Sequence, residues 1–136
     1  MDVSLRKDAD AIISASLRAV LPDEAVRRAL QTFQPRGGRV VLVAAGKAAW
    51  QMAHAALAEL GCVDGGIVIT KYGHVRGPLS GVTCCEAGHP LPDANGFAAT
   101  EQALAVVRGL TAADTVLFLL SGGGSALFEK PLLPGA

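Results

Sequence analysis

The sequence predicts an α/β fold: a doubly wound, mainly parallel sheet preceded by N-terminal helices. Three observations carry that reading. Short, continuous apolar runs alternate with segments of helical periodicity from Arg39 to Leu120. The connections between them are mostly too short to feed separate sheets. Apolar residues make up 51% of the 136 positions and charged residues 18%, enough to bury the core of one domain.

Residues from about Ser4 to Leu21 place Leu5, Ile12, Ile13, Ser16, Leu17 and Val20 at helical spacing. Pro22 suits the first position of a second helix reaching about Phe33, and Asp23 and Glu24 put negative charge at its positive end. Gln34 to Gly38 ends this helical segment, residues 1–35, as a turn. The βα units then run over 39–128. Arg39–Ala44 is a β-branched run of the kind found in strands buried on both faces. Ala48–Leu60 follows as a helix with Trp50, Ala53, Leu57 and Leu60 on one stripe and Gly61 as its C-cap.

Gly66–Thr70 and Val82–Glu86 read as the next strands. Gly88-His89-Pro90-Leu91-Pro92-Asp93 cannot be regular, because each proline biases the residue before it to extended backbone. Asp93 or Asn95 caps a helix presenting Phe97, Thr100, Leu104 and Val107, which stops near Gly109. Thr115–Leu120 is a buried apolar strand running into Ser121-Gly122-Gly123-Gly124-Ser125. The chain then ends in Pro131–Ala136 with no closing element, and the expectation is a truncated domain occupying 1–136.

Composition narrows the function. The 12 basic and 12 acidic residues cancel, so no overall field favours nucleic acid or an anionic membrane. Cys62, Cys84 and Cys85 form neither a disulfide framework nor a C-x-x-C metal pair, and adjacent Cys84 and Cys85 face opposite sides of a strand as small core residues. No metal-ligand set is assigned. Acidic residues interrupt the N-terminus where a signal peptide needs an apolar core, and the tract Val40–Leu60 is broken by Gly46-Lys47, Gln51 and His54. The expectation is a cytoplasmic protein whose partners are small molecules or other proteins.

In open α/β sheets ligands bind beyond the carboxyl ends of strands, where loops lead into helix N-termini. Two loops stand there. In Ala44-Ala45-Gly46-Lys47 the glycine permits close backbone approach, and Lys47 brings a cation to a helix N-terminus, where cations are disfavoured unless an anion is bound. The alternative is a solvated lysine beside a turn glycine. In Ser121–Ser125, Gly122, Gly123 and Gly124 together forfeit roughly 1 kcal/mol each of backbone order relative to alanine. Consecutive amides there suit an anion-binding nest, with the Ser121 and Ser125 hydroxyls as further donors; the alternative is a flexible connection.

Neither loop is a standard nucleotide fingerprint. A P-loop needs glycine where Val41 stands and Ser or Thr where Ala48 stands, and a dinucleotide loop needs glycine where Leu127 stands. Among the histidines, His54 lies near the Trp50 stripe and reads as packed. His74, in the glycine-bounded loop Tyr72–Gly77, and His89 are candidates for the site. Lys71 and Glu86 end strands and read equally as solvated charges.

Ala45-Gly46-Lys47-Ala48-Ala49, Glu86-Ala87-Gly88-His89-Pro90-Leu91-Pro92-Asp93 and Leu120-Ser121-Gly122-Gly123-Gly124-Ser125-Ala126-Leu127, in this order and spacing, resemble the N-terminal part of the glycerate 2-kinases of the MOFRL-containing class, often labelled hydroxypyruvate reductases. The resemblance covers essentially the whole chain. It implies ATP- and Mg²⁺-dependent phosphorylation of D-glycerate to 2-phosphoglycerate, in a cleft between a Rossmann-like N-terminal domain and a C-terminal domain that is absent here. It also implies that Lys47 is catalytic and that Ser121–Ser125 lines the same cleft. A later segment bearing a catalytic arginine is missing, so the chain alone is expected to be inactive. The alternatives are nicotinamide-dependent hydroxypyruvate reduction, which the missing dinucleotide fingerprint disfavours, and a ligand-binding fragment without turnover.

Overall fold

The structure, a computed structural model, describes residues 3–132, and of Ser125 only the backbone. The expectation about how the chain ends falls largely on 133–136, outside the described residues. The elements are α1 (Val3–Ala19), α2 (Pro22–Leu30), β1 (Val40–Gly46), α3 (Ala49–Leu60), β2 (Gly65–Lys71), β3 (Thr83–Ala87), α4 (Ala94–Val106) and β4 (Thr115–Ser121), then a single 3₁₀ turn at Ser125–Leu127. The strands form one four-stranded sheet in the order β3-β2-β1-β4. Every pairing is parallel, as the sequence predicts.

Successive residues of a strand point to opposite faces, so each strand feeds two cores. On one face Leu42, Ala44, Val68 and Leu119 pack with α3 and with Val26 of α2. On the other Val41, Val43, Ile67 and Ile69 pack with α4 and Leu127. Cys84 and Cys85 are half-buried, one against each core. β1 is central and buried over nearly its whole length, which accounts for its unbroken apolar sequence.

The helices meet the sheet through their smallest residues. Ala49, Ala53, Ala55 and Ala56 are the buried residues of α3, while Trp50, Met52 and Leu57 flank them half-buried. In α4 the buried set is Gly96, Ala99, Thr100 and Ala103, so the predicted face of Phe97, Thr100, Leu104 and Val107 is rotated. The size of the side chains explains both shifts: alanine lets the helix backbone approach the strands, and bulkier groups turn to the margins. Asp93 caps α4 by accepting the Gly96 N–H at 2.9 Å, and the Gly61 N–H closes α3 on Leu57 O at 2.9 Å.

Three further expectations change. α2 stops at Leu30, three residues short of Phe33, whose N–H closes a tight turn on Leu30 O. The periodicity of α1 is real, yet none of its residues is buried; Leu5, Ile12 and Leu17 are 65%, 67% and 62% exposed. β4 is an edge strand rather than a buried one. Its Leu119 is covered, but Val116, Phe118 and Leu120 lie half exposed on the α4 face.

β2 and β3 are joined without a helix. Residues 72–82 cross the α3 face, where Leu79 is buried in the core and Gly77 O accepts the Trp50 Nε1–H at 2.9 Å. The chain thus steps from β1 to β2 to β3 in one direction, then returns through α4 to place β4 on the other side of β1. That reversal puts a topological switch point at the carboxyl ends of β1 and β4.

At the opposite edge, aspartates fasten β1 to its neighbours. Asp64 accepts the Val40 N–H at 2.7 Å. Asp114, whose side chain is 7% exposed, accepts the N–H groups of Arg39 and Thr111, each at 2.7 Å. The Thr111 amide first, then that of Arg39, holds the Asp114 carboxyl well below its ordinary 3.8. The Val75 amide lowers Glu86 from 4.5, and the Tyr72 hydroxyl, followed by the Gly96 amide, lowers Asp93 from 3.8.

A carboxyl whose pKa is depressed by folding stabilises the fold above its unfolded value, and that contribution disappears as pH falls through the folded value. Urea midpoints are therefore expected to hold steady above pH 4.5 and fall below it. Asp114→Asn should lower the midpoint at neutral pH and flatten the acid limb. A second prediction concerns the switch point. Gly46 has φ 116°, and a Cβ there would stand 2.2 Å from Ser121 O. Gly46→Ala should cost roughly 2–4 kcal/mol in urea unfolding, combining backbone strain with overpacking. Gly122→Ala, at φ 69° with open space around it, should cost only about 1–2 kcal/mol.

Candidate functional site at the β1–β4 switch point

The parallel register sets Gly46 directly opposite Ser121, so the two glycine-bearing loops leave the sheet side by side. The peptide linking Lys47 to Ala48 is fixed at both of its polar ends. Its N–H donates to Ser121 Oγ at 3.1 Å. Its carbonyl accepts from Thr70 Oγ1 at 3.3 Å and from His74 Nδ1 at 3.0 Å. Because a carbonyl oxygen can only accept, His74 carries its proton on Nδ1 in this bond. Side chains from β2, the β2–β3 connection and β4 thus converge on one peptide of the β1–α3 loop.

Lys47 itself is exposed, and among the described residues its ammonium has no hydrogen-bonding or ionic partner. It stands where α3 begins, a helix with no side-chain cap and no acidic residue in its first turn. The positive end of the helix and the lysine charge therefore add rather than cancel. An anion between them would remove the conflict.

Two hollows share Lys47. The first, about 140 Å³, is lined by Gly46, Lys47, His89, Ser121, Gly122, Gly123, Gly124 and Leu127. Gly122 and Gly124 both have φ 69°, and the Gly124 carbonyl accepts from Leu127 N at 2.9 Å as the 3₁₀ turn begins. The second hollow, about 280 Å³, is bounded by Lys47, Ala48, Trp50, Gln51, Gly73, His74 and Arg76. Arg76, like Lys47, has no ionic partner among the described residues.

The sequence candidates accordingly divide. Gly46, Lys47, His89, Ser121, Gly122, Gly123 and Gly124 gather in the smaller hollow. His74 lies in the larger one, joined to the rest through the Lys47 carbonyl. The Ser125 side chain lies outside the described residues. Ser121 also acts otherwise than expected, since its hydroxyl is spent on the Ala48 amide. His54 is exposed and stacks on Trp50 with ring centroids 5.1 Å apart, so it is a surface residue rather than a packed one.

Sequence reasoning passed over Arg76, Gln51 and Trp50. Arg76 shares the glycine-bounded loop of His74, and that polar loop after a strand was the available signal. Trp50 reads as core by spacing, although its indole N–H is what holds the loop's Gly77. Glu86 is not a solvated charge: it accepts the Val75 N–H at 2.8 Å and fixes the same loop from β3. Among the described residues no cluster of three or more His, Cys, Asp or Glu side chains is placed to hold a metal ion.

Comparison with known proteins places the chain among relatives. The chain is 52% identical over 130 residues to a protein named D-glycerate 2-kinase from Thermotoga maritima, covering 95% of this chain and 31% of that protein. It is 43% identical over 131 residues to a putative hydroxypyruvate reductase of Agrobacterium vitis, covering 96% of this chain and 29% of the relative. The crystal structure of glycerate kinase from Thermotoga maritima superposes with a TM-score of 0.85 at 51% identity, over 95% of this chain and 31% of the other. The chain thus spans about a third of the length of these relatives. Residues 8–134 match the family described as Domain of unknown function (DUF4147), and the chain belongs to that family.

Proposed function

We propose that this chain forms the phosphate- and substrate-binding part of a cytoplasmic glycerate 2-kinase, which transfers the γ-phosphoryl group of ATP to the 2-hydroxyl of D-glycerate. The observation that carries the reading is the pinned Lys47–Ala48 peptide, which holds an unpaired lysine between a glycine-rich hollow and a cationic one. The name of the Thermotoga maritima relative supports the choice of substrate. The reading extends to a complete cleft, in which a second domain closes over these loops as the resemblance implies.

Phosphoryl transfer asks a protein chiefly for alignment and for neutralisation of charge on the transferring group. Lys47 supplies the point charge, aided by the uncapped start of α3. The amides of Gly122–Gly124 suit phosphate oxygens, with His89 beside them. The described residues offer no carboxylate cage for Mg²⁺, which enters this reading only as the companion of the nucleotide phosphates. The cytoplasmic assignment is supported by three free cysteines and by the absence, among the described helices, of one long and apolar enough to cross a membrane.

The decisive test uses a chimera in which this chain replaces the matching 31% of the Thermotoga maritima protein. With D-glycerate, Mg²⁺ and ATP, phosphorus NMR is expected to show 2-phosphoglycerate. Oxidation of NADH on hydroxypyruvate, with no phosphorylated product, would favour the reductase instead. Lys47→Ala in the chimera is expected to lower kcat by about 10²- to 10³-fold, the usual cost of one charge-stabilising donor. Because the lysine is exposed, the urea midpoint should stay unchanged. Equal kcat in the two proteins would remove Lys47 from the reaction.

A further inference from the structure

Only one of the described histidines has a ring nitrogen committed to a hydrogen bond. His54 lies against Trp50, and His89 borders the glycine loop with no hydrogen bond to its ring. His74, half-buried, gives Nδ1–H to the Lys47 carbonyl at 3.0 Å. That bond selects the tautomer, because the second nitrogen of a neutral imidazole is then a lone-pair acceptor. Nε2 has no partner among the described residues, and His74 lines the 280 Å³ hollow together with Lys47 and Arg76.

We infer that the larger hollow receives the phosphoryl acceptor, and that His74 Nε2 takes the proton from its attacking hydroxyl. The inference deepens the kinase reading and rests on it. A small hydroxy acid carries a carboxylate, and Arg76 supplies a charge to hold it away from Lys47, which faces both hollows. The nucleotide phosphates then lie in the glycine-rich hollow, leaving Lys47 between donor and acceptor.

The step balances. As the acceptor oxygen forms its bond to the γ-phosphorus, its proton passes to Nε2 and the bond from that phosphorus to the β–γ bridging oxygen breaks. ADP departs with that electron pair, and the imidazolium returns its proton to solvent. The charged groups around the ring are Lys47 from the β1–α3 loop, Arg76 from its own loop and Glu86 from β3; Asp23 stands behind Gln51, to which it is bonded at 2.6 Å.

Two measurements test this. In the histidine-labelled chain, two-bond proton–nitrogen correlation spectra should show neutral His74 protonated on Nδ1; protonation on Nε2 would overturn the inference. In the chimera, His74→Asn keeps an amide nitrogen at the place of Nδ1 and deletes Nε2. The expected result is a kcat about 10²- to 10⁴-fold lower with little change in KM for D-glycerate. His74→Asn should also change the shape of the pH–kcat profile, because it removes the proton acceptor. A merely positioning ring would be rescued by asparagine, so near-parental kcat with the parental pH profile would overturn the inference while leaving the kinase reading intact. A parent chimera that makes no 2-phosphoglycerate would overturn both. Where His74→Asn fails to fold, the tautomer measurement on the unsubstituted chain decides.

Discussion

The peptide between Lys47 and Ala48 is the joint on which the site turns. A single planar amide is held at its N–H by Ser121 and at its carbonyl by Thr70 and His74. These three residues are separated widely in sequence, yet parallel pairing brings β2 and β4 to either side of β1. The loop is thereby tied to both neighbouring strands, so the root of the lysine is hydrogen-bonded while its side chain is exposed.

This joint depends on how the strand ends meet. Gly46 and Ser121 are opposite each other, and the space between them leaves no room for a Cβ on residue 46. At the far edge, Asp64 and Asp114 tie the start of β1 to the segments leading into its two neighbours. The sheet is thus fastened by carboxylates at the end where its strands begin and opened by glycine where they finish. The carboxylate ties lie at one end and the candidate site at the other, the end where open parallel sheets bind ligands.

Much of this arrangement was legible in the chain itself. The alternation of apolar runs and helices gave the strands, and the two glycine-bearing loops that line one hollow were marked as the candidate site, because strand ends and glycine are local features. Contacts between distant residues were not legible. Nothing local to Trp50 says that its indole holds Gly77, and nothing local to Glu86 says that it receives the Val75 amide. Arg76 escaped for the same reason: its place in the site comes from a crossover that packs on α3 without a helix of its own. Helix faces were misjudged where alanine competes with larger residues, since hydrophobicity alone does not register how closely a backbone must approach a sheet.

The edge strand β4 has a consequence for handling the chain in isolation. Val116, Phe118 and Leu120 present an apolar stripe beside an unpaired strand edge, and Phe128 packs edge-on against Phe118 without closing it. An exposed hydrophobic strand edge is a template for adding another strand. The isolated chain is therefore expected to self-associate as its concentration rises, and a lysine introduced at Phe118 is expected to act as a gatekeeper against sheet-to-sheet growth.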